Sequence, residues 1–434
     1  MLINKLAKSI CGIYCICFLQ NNIIYGQQQA PEPDTIRLEW KQAEKMFLDK
    51  NLQLLAQHFS IKSGEALVEQ ARKWDNPVLI TDQNIYANNK FLEHGKDAAG
   101  VQQGEFYAQL QQLIKTAGKR GKQIDLAKTN VQIAEWQFRL VMRNLRTTLY
   151  TDFYTVAQLL GNKELYRENL KQLERLRDGM EQELKAGNIA RKEYLRVQAL
   201  IISLQHDITE NSKNINDAES ELKTLLAVTG DRFIKPVVSS TETAEVPEVT
   251  IPQLIDSARQ NNPEYRIEAY QLQYSRQNLQ LQKALAVPDV TVAPEFDQNA
   301  NYISNYVGLT LSLPIPLWDR NRGNIKAAKY GVQQEELMLQ AVGQRLQNDV
   351  LNAYQKLLYE IRLASANSNK FYDDYYQLQQ HIADSYNKRQ IGLIEFLDYY
   401  KDYQEIRVGQ LEQVLHLRLA RQALNDITGA DIIH

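Results

Sequence analysis

The chain repeats its own plan, and that repeat limits the folds open to it more than any other feature. Asn51 opens a helical stretch that stops at Asn76-Pro77, and Asn262 opens another that stops at Val287-Pro288. Two extended runs follow each proline, and each pair ends in an Arg-Gly step, Arg120-Gly121 and Arg322-Gly323. A very long helical segment comes next and breaks at Gly187 in the first copy and Gly392 in the second. A further helix then closes with Val228-Thr229-Gly230 or Ile427-Thr428-Gly429. The landmark offsets of 211, 202, 205 and 199 residues read as two copies that drift by small insertions.

These landmarks divide the chain. A first repeat covers 27–230, with strands at about 77–88 and 102–114 and a helical turn near 187. A stretch rich in Pro, Ser, Thr and Val over 231–250 reads as a linker. A second repeat covers 251–434, with strands at about 288–298 and 303–314 and a turn near 392.

The segment from Lys122 to Ala186 carries no proline. As a helix rising 1.5 Å per residue it is on the order of 100 Å long, too long for the core of one globular domain. The length of 434 residues therefore does not translate into the usual number of compact domains. After Gly187, Tyr194, Ile201, Ile208, Ile215 and Leu222 recur every seven residues. Val197, Leu204, Ala218 and Leu225 fill the second seam position, and Asn211 interrupts it. After Gly392, Tyr399, Tyr403, Ile406, Gln410, Gln413, Leu417, Ala420, Leu424 and Ile427 alternate steps of four and three. This is the 3.5-residue period of a coiled coil, although ordinary bundle helices also show it.

The extended runs alternate. Val307, Leu309, Leu311 and Leu313 alternate with Gly308, Thr310 and Ser312, and Val290, Val292 and Phe296 with Thr291, Ala293, Glu295 and Asp297. Phe106, Ala108 and Leu110 alternate with Glu105, Tyr107, Gln109 and Gln111; Val78, Ile80 and Ile85 give a weaker pattern. One apolar and one polar face fit a half-buried sheet in water and the wall of a membrane barrel equally well. Runs of about 10 residues suit a tilted membrane strand. Four strands cannot close a barrel, and open edges in lipid leave costly unpaired backbone groups. If the runs span a membrane, the protein is an oligomer, and three chains supply twelve strands. The soluble alternative is two hairpins capping a helical bundle.

Residues 1–26 read as an export signal. Lys5 and Lys8 form a positive start, Ile10 to Leu19 a short apolar stretch, and Gly26 a small residue before Gln27 to Gln29. A short buried helix is the alternative. Removing the segment removes two lysines and no acid, which takes the net charge from -2 to -4. All three cysteines, Cys11, Cys15 and Cys17, fall inside it, so a processed chain has no disulfide, thiolate zinc site or thiol catalyst. None follows a Leu-small-small stretch of the kind lipid attachment needs. Beyond residue 26, no apolar run approaches the roughly 20 residues of a membrane-spanning helix.

No cofactor, resident metal or enzymatic reaction is expected. The chain has no Gly-rich phosphate loop and no His-Glu-x-x-His. His58, His94, His206, His381, His416 and His434 are scattered, and Glu93 beside His94 reads as a solvated loop pair. Acids and bases are interspersed with no basic run, which argues against nucleic acid as a partner.

The order of elements resembles the TolC-type outer-membrane efflux proteins. The stretch Gly308 to Ile325, GLTLSLPIPLWDRNRGNI, is similar to the strand-to-helix junction of their heavy-metal branch, the CzcC/CusC-like proteins. The resemblance covers nearly all of the chain after the signal. It implies a mainly α fold with a β-barrel portion: four transmembrane strands per protomer and long antiparallel coiled-coil helices that form a periplasmic α-barrel in a homotrimer. It further implies the outer membrane of a Gram-negative bacterium, lipid around the barrel, a periplasmic adaptor (membrane fusion) protein and an inner-membrane RND-type pump. The cargo implied is heavy-metal cations. A duct for drugs, peptides or proteins is one alternative, and a soluble periplasmic coiled-coil adaptor or scaffold is another.

The resemblance also implies site residues. The turns would dock the adaptor through Ala186-Gly187-Asn188 and Ile391-Gly392-Leu393; the second fits the family's Val-Gly-Leu-like step and the first departs at Asn188. Asp398, six residues past Gly392, would line the narrow aperture, with Glu193 as its counterpart six past Gly187. A second acid of the family pattern is replaced by Lys401. Rings of carboxylates at a mouth favour cations. The plainer reading is a solvated helix face paired with Lys192 or Lys401. Pro316, Trp318, Arg322 and Gly323 mark the strand–helix junction, where Trp318 suits either a membrane boundary or the packed interior.

Overall fold

The computed structural model describes residues 34–87, 89–238, 244–300, 303–366 and 369–432. The expected signal at 1–26 and His434 lie outside the described residues. Strand β1 (Asp34–Leu38) leads into α1 (Trp40–Lys50) and α2 (Leu52–Ala71). Strands β2 (Val78–Gln83) and β3 (Phe106–Ile114) precede α3 (Lys119–Lys185), and α4 (Arg191–Leu225) is followed by β4 (Arg232–Pro236). The second half runs α5 (Ile251–Asn261), α6 (Pro263–Leu285), β5 (Val290–Asn299), β6 (Ser304–Ser312), α7 (Arg322–Ala366), α8 (Asn369–Asn387) and α9 (Leu393–Thr428). The 67 residues of α3 give a rod on the order of 100 Å.

The two halves begin on the same device. Asn51 caps α2: its Oδ1 accepts from the backbone N–H of Gln53 and Leu54 at 3.1 and 3.0 Å, and its Nδ2 donates to the Leu225 carbonyl at 3.0 Å. Asn262 caps α6 in the same way, accepting from Glu264 and Tyr265 at 3.0 and 3.3 Å and donating to the Ile427 carbonyl at 3.0 Å. One buried side chain thus satisfies orphan donors at the start of one helix and an orphan acceptor at the end of another.

Among the described residues, three apolar cores follow. Phe47, Phe153, Leu222 and Ile234 sit in the first, and Leu254, Val350, Leu357 and Leu424 in the second. The third joins the two halves near the helical turns, packing Leu173, Met180, Val197 and Ile201 against Leu393 and Tyr400. Most of the seam expected after Gly187 is buried: Val197, Ile201, Leu204, Asn211, Ile215, Leu222 and Leu225 are buried, and Tyr194, Ile208 and Ala218 are half-buried. After Gly392 the seam enters one residue away from expectation. Tyr400 is buried and Tyr399 only half-buried, because Leu393 and Tyr400 share the seven-residue face that meets the first half.

The expected drift by small insertions is corrected. Ala190 and Gly392 are the N-caps of α4 and α9, and they lie 202 residues apart. Leu225 and Ile427, whose carbonyls the two asparagines bind, are also 202 apart, as are Gly121 and Gly323. The two halves therefore keep one register from the Arg-Gly step onward. The surplus between the 211- and 202-residue offsets lies in the first hairpin, where a loop from 84 to 105 carries only two-residue ladders.

That loop also shortens the expected strands. Of the run expected at 77–88, only Val78–Gln83 joins the four-stranded sheet, Tyr86–Ala87 pairing with Lys90–Phe91 instead, and the run at 102–114 joins it only from Phe106, because Gln102–Gln103 pairs with Gly95–Lys96. Arg232–Pro236, expected in the linker, forms β4 parallel to β1, with Ile234 fully buried.

The order β6-β5-β3-β2 makes one antiparallel sheet that contains both hairpins. Pro294 has no N–H to donate, and the β3–β5 ladder skips the rungs at Pro294 and Ala293. The register puts Leu79, Leu110, Val292, Phe296, Leu309 and Leu311 on one face. Leu79, Leu309 and Leu311 are 62–66% exposed, so among the described residues none covers that face there. Among the described residues no helix is long and apolar enough to cross a membrane.

Candidate channel wall and helical tips

The opposite face of the sheet is polar and internally bonded. Glu295 Oε2 accepts from Tyr107 Oη at 3.0 Å, Gln109 Nε2 at 2.7 Å and Thr310 Oγ1 at 3.0 Å, so one carboxylate ties β3, β5 and β6 together. Period-two alternation gives this contrast directly: each strand sends one set of side chains to the apolar face and the other to the Glu295 face.

Where strands meet helices, the halves are clamped to each other. Lys119 is buried at the start of α3. Its Nζ donates to Asp289 Oδ1 and to the Val287 carbonyl, both at 2.6 Å. The Thr116 N–H donates to the same Asp289 oxygen at 2.8 Å. Burial alone would raise the Asp289 carboxyl; the Lys119 ammonium and the Thr116 donors outweigh it and hold the group below the usual carboxylate range. Asn321, 202 residues after Lys119, plays the matching part at α7: its Nδ2 donates to the Gln282 carbonyl at 2.7 Å.

The junction residues expected from sequence lie around Asn321. The Pro316 carbonyl accepts from Arg320 Nε at 3.2 Å, and Arg322 is the first residue of α7. Trp318 is 93% exposed, so within the chain it is not packed into the junction. A Cβ at Gly323 or Gly121 would meet open space, so the Arg-Gly step answers no steric need within the chain.

The two helical tips reverse the chain differently. After α3, Gly187 adopts φ 78° and its N–H donates to the Leu184 carbonyl. After α8, the left-handed position is Arg389 (φ 58°), whose N–H donates to the Tyr386 carbonyl. Gly392 is instead an extended N-cap with φ -81°. The equivalence of Gly187 with Gly392 is therefore corrected: Gly187 matches Arg389, and Gly392 matches Ala190. The pairing of Glu193 with Asp398 moves with it. Glu193 is the third residue of α4 and corresponds to Glu395, while Asp398 corresponds to Arg196.

The tips also touch. Arg389 Nη2 reaches Glu183 Oε2 at 3.0 Å, and Asn188 Nδ2 donates to the same oxygen at 2.9 Å. Tyr386 packs on Phe396 and donates to Met180 Sδ at 3.8 Å. Burial pushes the Tyr386 hydroxyl up, and the nearby Glu193 carboxylate adds to the rise. Ile391 is half-buried and Leu393 buried, whereas Asp398 and Lys401 are exposed. Lys401 pairs with Glu405 at 3.5 Å. The structure brings Glu193 and the α8–α9 tip together; it places Asp398 on a solvent-facing helix surface of the single chain.

Sequence reasoning missed Glu183, Arg389, Lys119, Asp289 and the Glu295 cluster. Only Glu295 left a signal, as a polar residue in the polar register of its strand. Among the described residues, no three of His, Cys, Asp or Glu form a group that could hold a metal ion.

An antiparallel sheet with an exposed apolar face is carried on helices that end in two tips, of which α3 alone is on the order of 100 Å long. The chain belongs to the outer membrane efflux protein family, whose sequence model matches residues 45–228 and 254–427. It is an outer-membrane protein. It is similar to the cobalt-zinc-cadmium resistance protein CzcC of Cupriavidus metallidurans, 20% identical over 278 residues that cover 64% of this chain and 63% of that one. It is also similar to the nickel-cobalt-cadmium resistance protein NccC of Alcaligenes xylosoxydans xylosoxydans, 24% identical over 295 residues, 67% of this chain and 63% of that one. The chain thus spans slightly less than two thirds of the length of these relatives. Among solved structures, CusC superposes with a TM-score of 0.73 at 16% identity over 90% of this chain and 92% of that one. The Campylobacter jejuni CmeC outer membrane channel superposes with a TM-score of 0.69 at 13% identity, over 90% and 86%. At these identities the likeness shows the fold.

Proposed function

We propose that three copies of this chain, each built from two internal repeats, close into an outer-membrane efflux duct. Its β-barrel crosses the membrane and its helices form a tunnel through the periplasm. The observation that carries this reading is the four-stranded sheet with one uncovered apolar face and two unpaired edges, β2 and β6. Neighbours in the sheet are all antiparallel, so β2 and β6 run in opposite directions. The β6 edge of one copy then pairs antiparallel with the β2 edge of the next, and twelve strands close without a break in the alternation. Lipid covers the apolar face and the Glu295 face lines the lumen.

The cargo is heavy-metal cations. The resistance proteins CzcC and NccC support this by name, and a lumen lined by carboxylates suits cations. Passage is passive, and an inner-membrane RND-type pump supplies the energy. A periplasmic adaptor docks at the tips through Gly187 and Ile391-Gly392-Leu393. Asp398 and Glu193 line the aperture beside Lys401, and movement of the tips opens it. The purified chain in a planar bilayer tests this: cation-selective conductance is expected, and Asp398→Asn reduces the selectivity. Absence of any conductance contradicts the reading. Metal sensitivity of a deletion strain, unaltered for drugs, tests the cargo.

A further inference from the structure

We infer that the end of the sheet that meets the helices carries a basic collar, and that this collar binds the headgroups of anionic phospholipids. This rests on the duct reading above, which puts that end in the periplasmic leaflet, and adds which lipids it holds there.

The two ends of the sheet differ in charge. At the helix end, residues 72–75, 115–122, 283–289 and 319–322 hold nine bases and three acids. Two of those acids are already paired, Asp75 with Lys115 at 3.1 Å and Asp289 with Lys119. At the far end, residues 82–105 and 295–297 hold six acids and two lysines. One sheet thus runs from a basic end to an acidic one.

The basic end also has the geometry of a membrane boundary. Gln112 pairs with Val292 in the ladder and so stands on the apolar face. Its Nε2 donates to the Asp75 carbonyl at 3.1 Å, which sets the Trp74–Asp75 turn beside that face. Trp74 is 63% exposed, and the Arg120 guanidinium stands 4.0 Å over its ring. At the β6 edge, Leu313, Ile315, Leu317 and Trp318 are all exposed, and the exposed Arg320 follows them. Among the described residues, neither Arg120 nor Arg320 has a carboxylate partner. Indoles where an apolar band ends suit the headgroup level. A guanidinium beside them offers paired donors to a phosphate, and basic groups at that level attract anionic lipid.

Charge and position together select the occupant. Free phosphate gains nothing from exposed indoles at the end of an apolar band. Lipopolysaccharide also carries phosphates, but its leaflet meets the acidic end of the sheet. An adaptor docks at the tips, at the other end of α3.

The test uses the full chain purified in detergent. Phosphatidylglycerol is titrated in, and bound lipids are counted by native mass spectrometry. The unmodified chain is expected to retain phosphatidylglycerol over phosphatidylcholine, and Arg120→Gln with Arg320→Gln to weaken that retention about tenfold. Lys90→Gln with Lys96→Gln removes as much charge from the acidic end and should leave retention unchanged. In vesicles of the two lipids, phosphatidylcholine brominated just below the headgroup should quench tryptophan fluorescence, and Trp74→Phe with Trp318→Phe should reduce that quenching. Equal retention by the unmodified chain and the arginine variant, in a complex of three copies, overturns the collar and leaves the duct intact. Displacement of phosphatidylglycerol by lipopolysaccharide or by inorganic phosphate overturns the choice of lipid. A native mass of one copy for the unmodified chain overturns the duct, and the leaflet assigned to the collar with it.

Discussion

At the α3–α4 tip the left-handed position is filled by Gly187, and at the α8–α9 tip, 202 residues later, by Arg389. Glycine takes that conformation freely, whereas a residue with a Cβ loses roughly 1 kcal/mol there. In exchange, Arg389 sets its guanidinium on Glu183 of the first tip. The two tips therefore share a left-handed position but not its chemistry: the first is relaxed, and the second is strained and tied to the first. A similar divergence appears where strands meet helices. Lys119 and its buried ion pair in the first half stand opposite Asn321 and a neutral hydrogen bond in the second.

The largest expected effect lies at that clamp. Lys119→Met leaves Asp289 partly buried without its cation and should cost about 3–5 kcal/mol, read as a lowered denaturation midpoint in detergent. Asn321→Ala, at the matching position, should cost only about 1 kcal/mol. Equal losses would break the distinction drawn between the halves.

The paired caps should behave alike. Asn51→Ala and Asn262→Ala each remove a cap and a buried donor, and each should cost about 2 kcal/mol. A large loss from one and none from the other would show that the two halves do not share this device.

The largest single pH response should come from the first half, although burial also raises the Asp426 carboxyl in the second. Burial, with Glu221 nearby, raises the Asp152 carboxyl to about 7 from its model-peptide value of 3.8, and Tyr354 stands 202 residues later. The folded chain therefore keeps a proton that the unfolded chain has lost. The resulting stability is fully present below pH 4 or so and is lost as pH rises through about 7. Midpoints measured across this window should rise on acidification, and Asp152→Asn should flatten the curve.

The smallest effect on stability is expected at the tips. In Arg389→Gly the relief of strain offsets the loss of an exposed ion pair, so stability should change by less than about 1 kcal/mol. Loss of the tie should instead raise the open fraction in single-channel recordings. An unchanged open fraction would show that the Glu183–Arg389 contact has no part in gating.

The helices and strands were legible in the sequence because their periods are local: 3.5 residues around Ile201 and Ile215, and two residues through Val307 to Leu313. The register of the halves was less so, because one letter serves several purposes. Gly187 supplies a left-handed turn, Gly392 an extended cap, and Gly121 and Gly323 neither, so aligning glycines misplaced Asp398 against Glu193. The two asparagines aligned correctly because a cap that also binds a distant carbonyl admits few other side chains. Contacts such as Glu183 with Arg389, and the parallel pairing of β1 with β4, join residues about 200 apart. No periodicity encodes such contacts.

The central claim is that the β2 and β6 edges are completed by neighbouring copies. Native mass spectrometry of the detergent-extracted, unmodified chain measures this most directly. A complex of three chains is predicted. A single chain, stable in plain buffer with its sheet folded, would contradict the account.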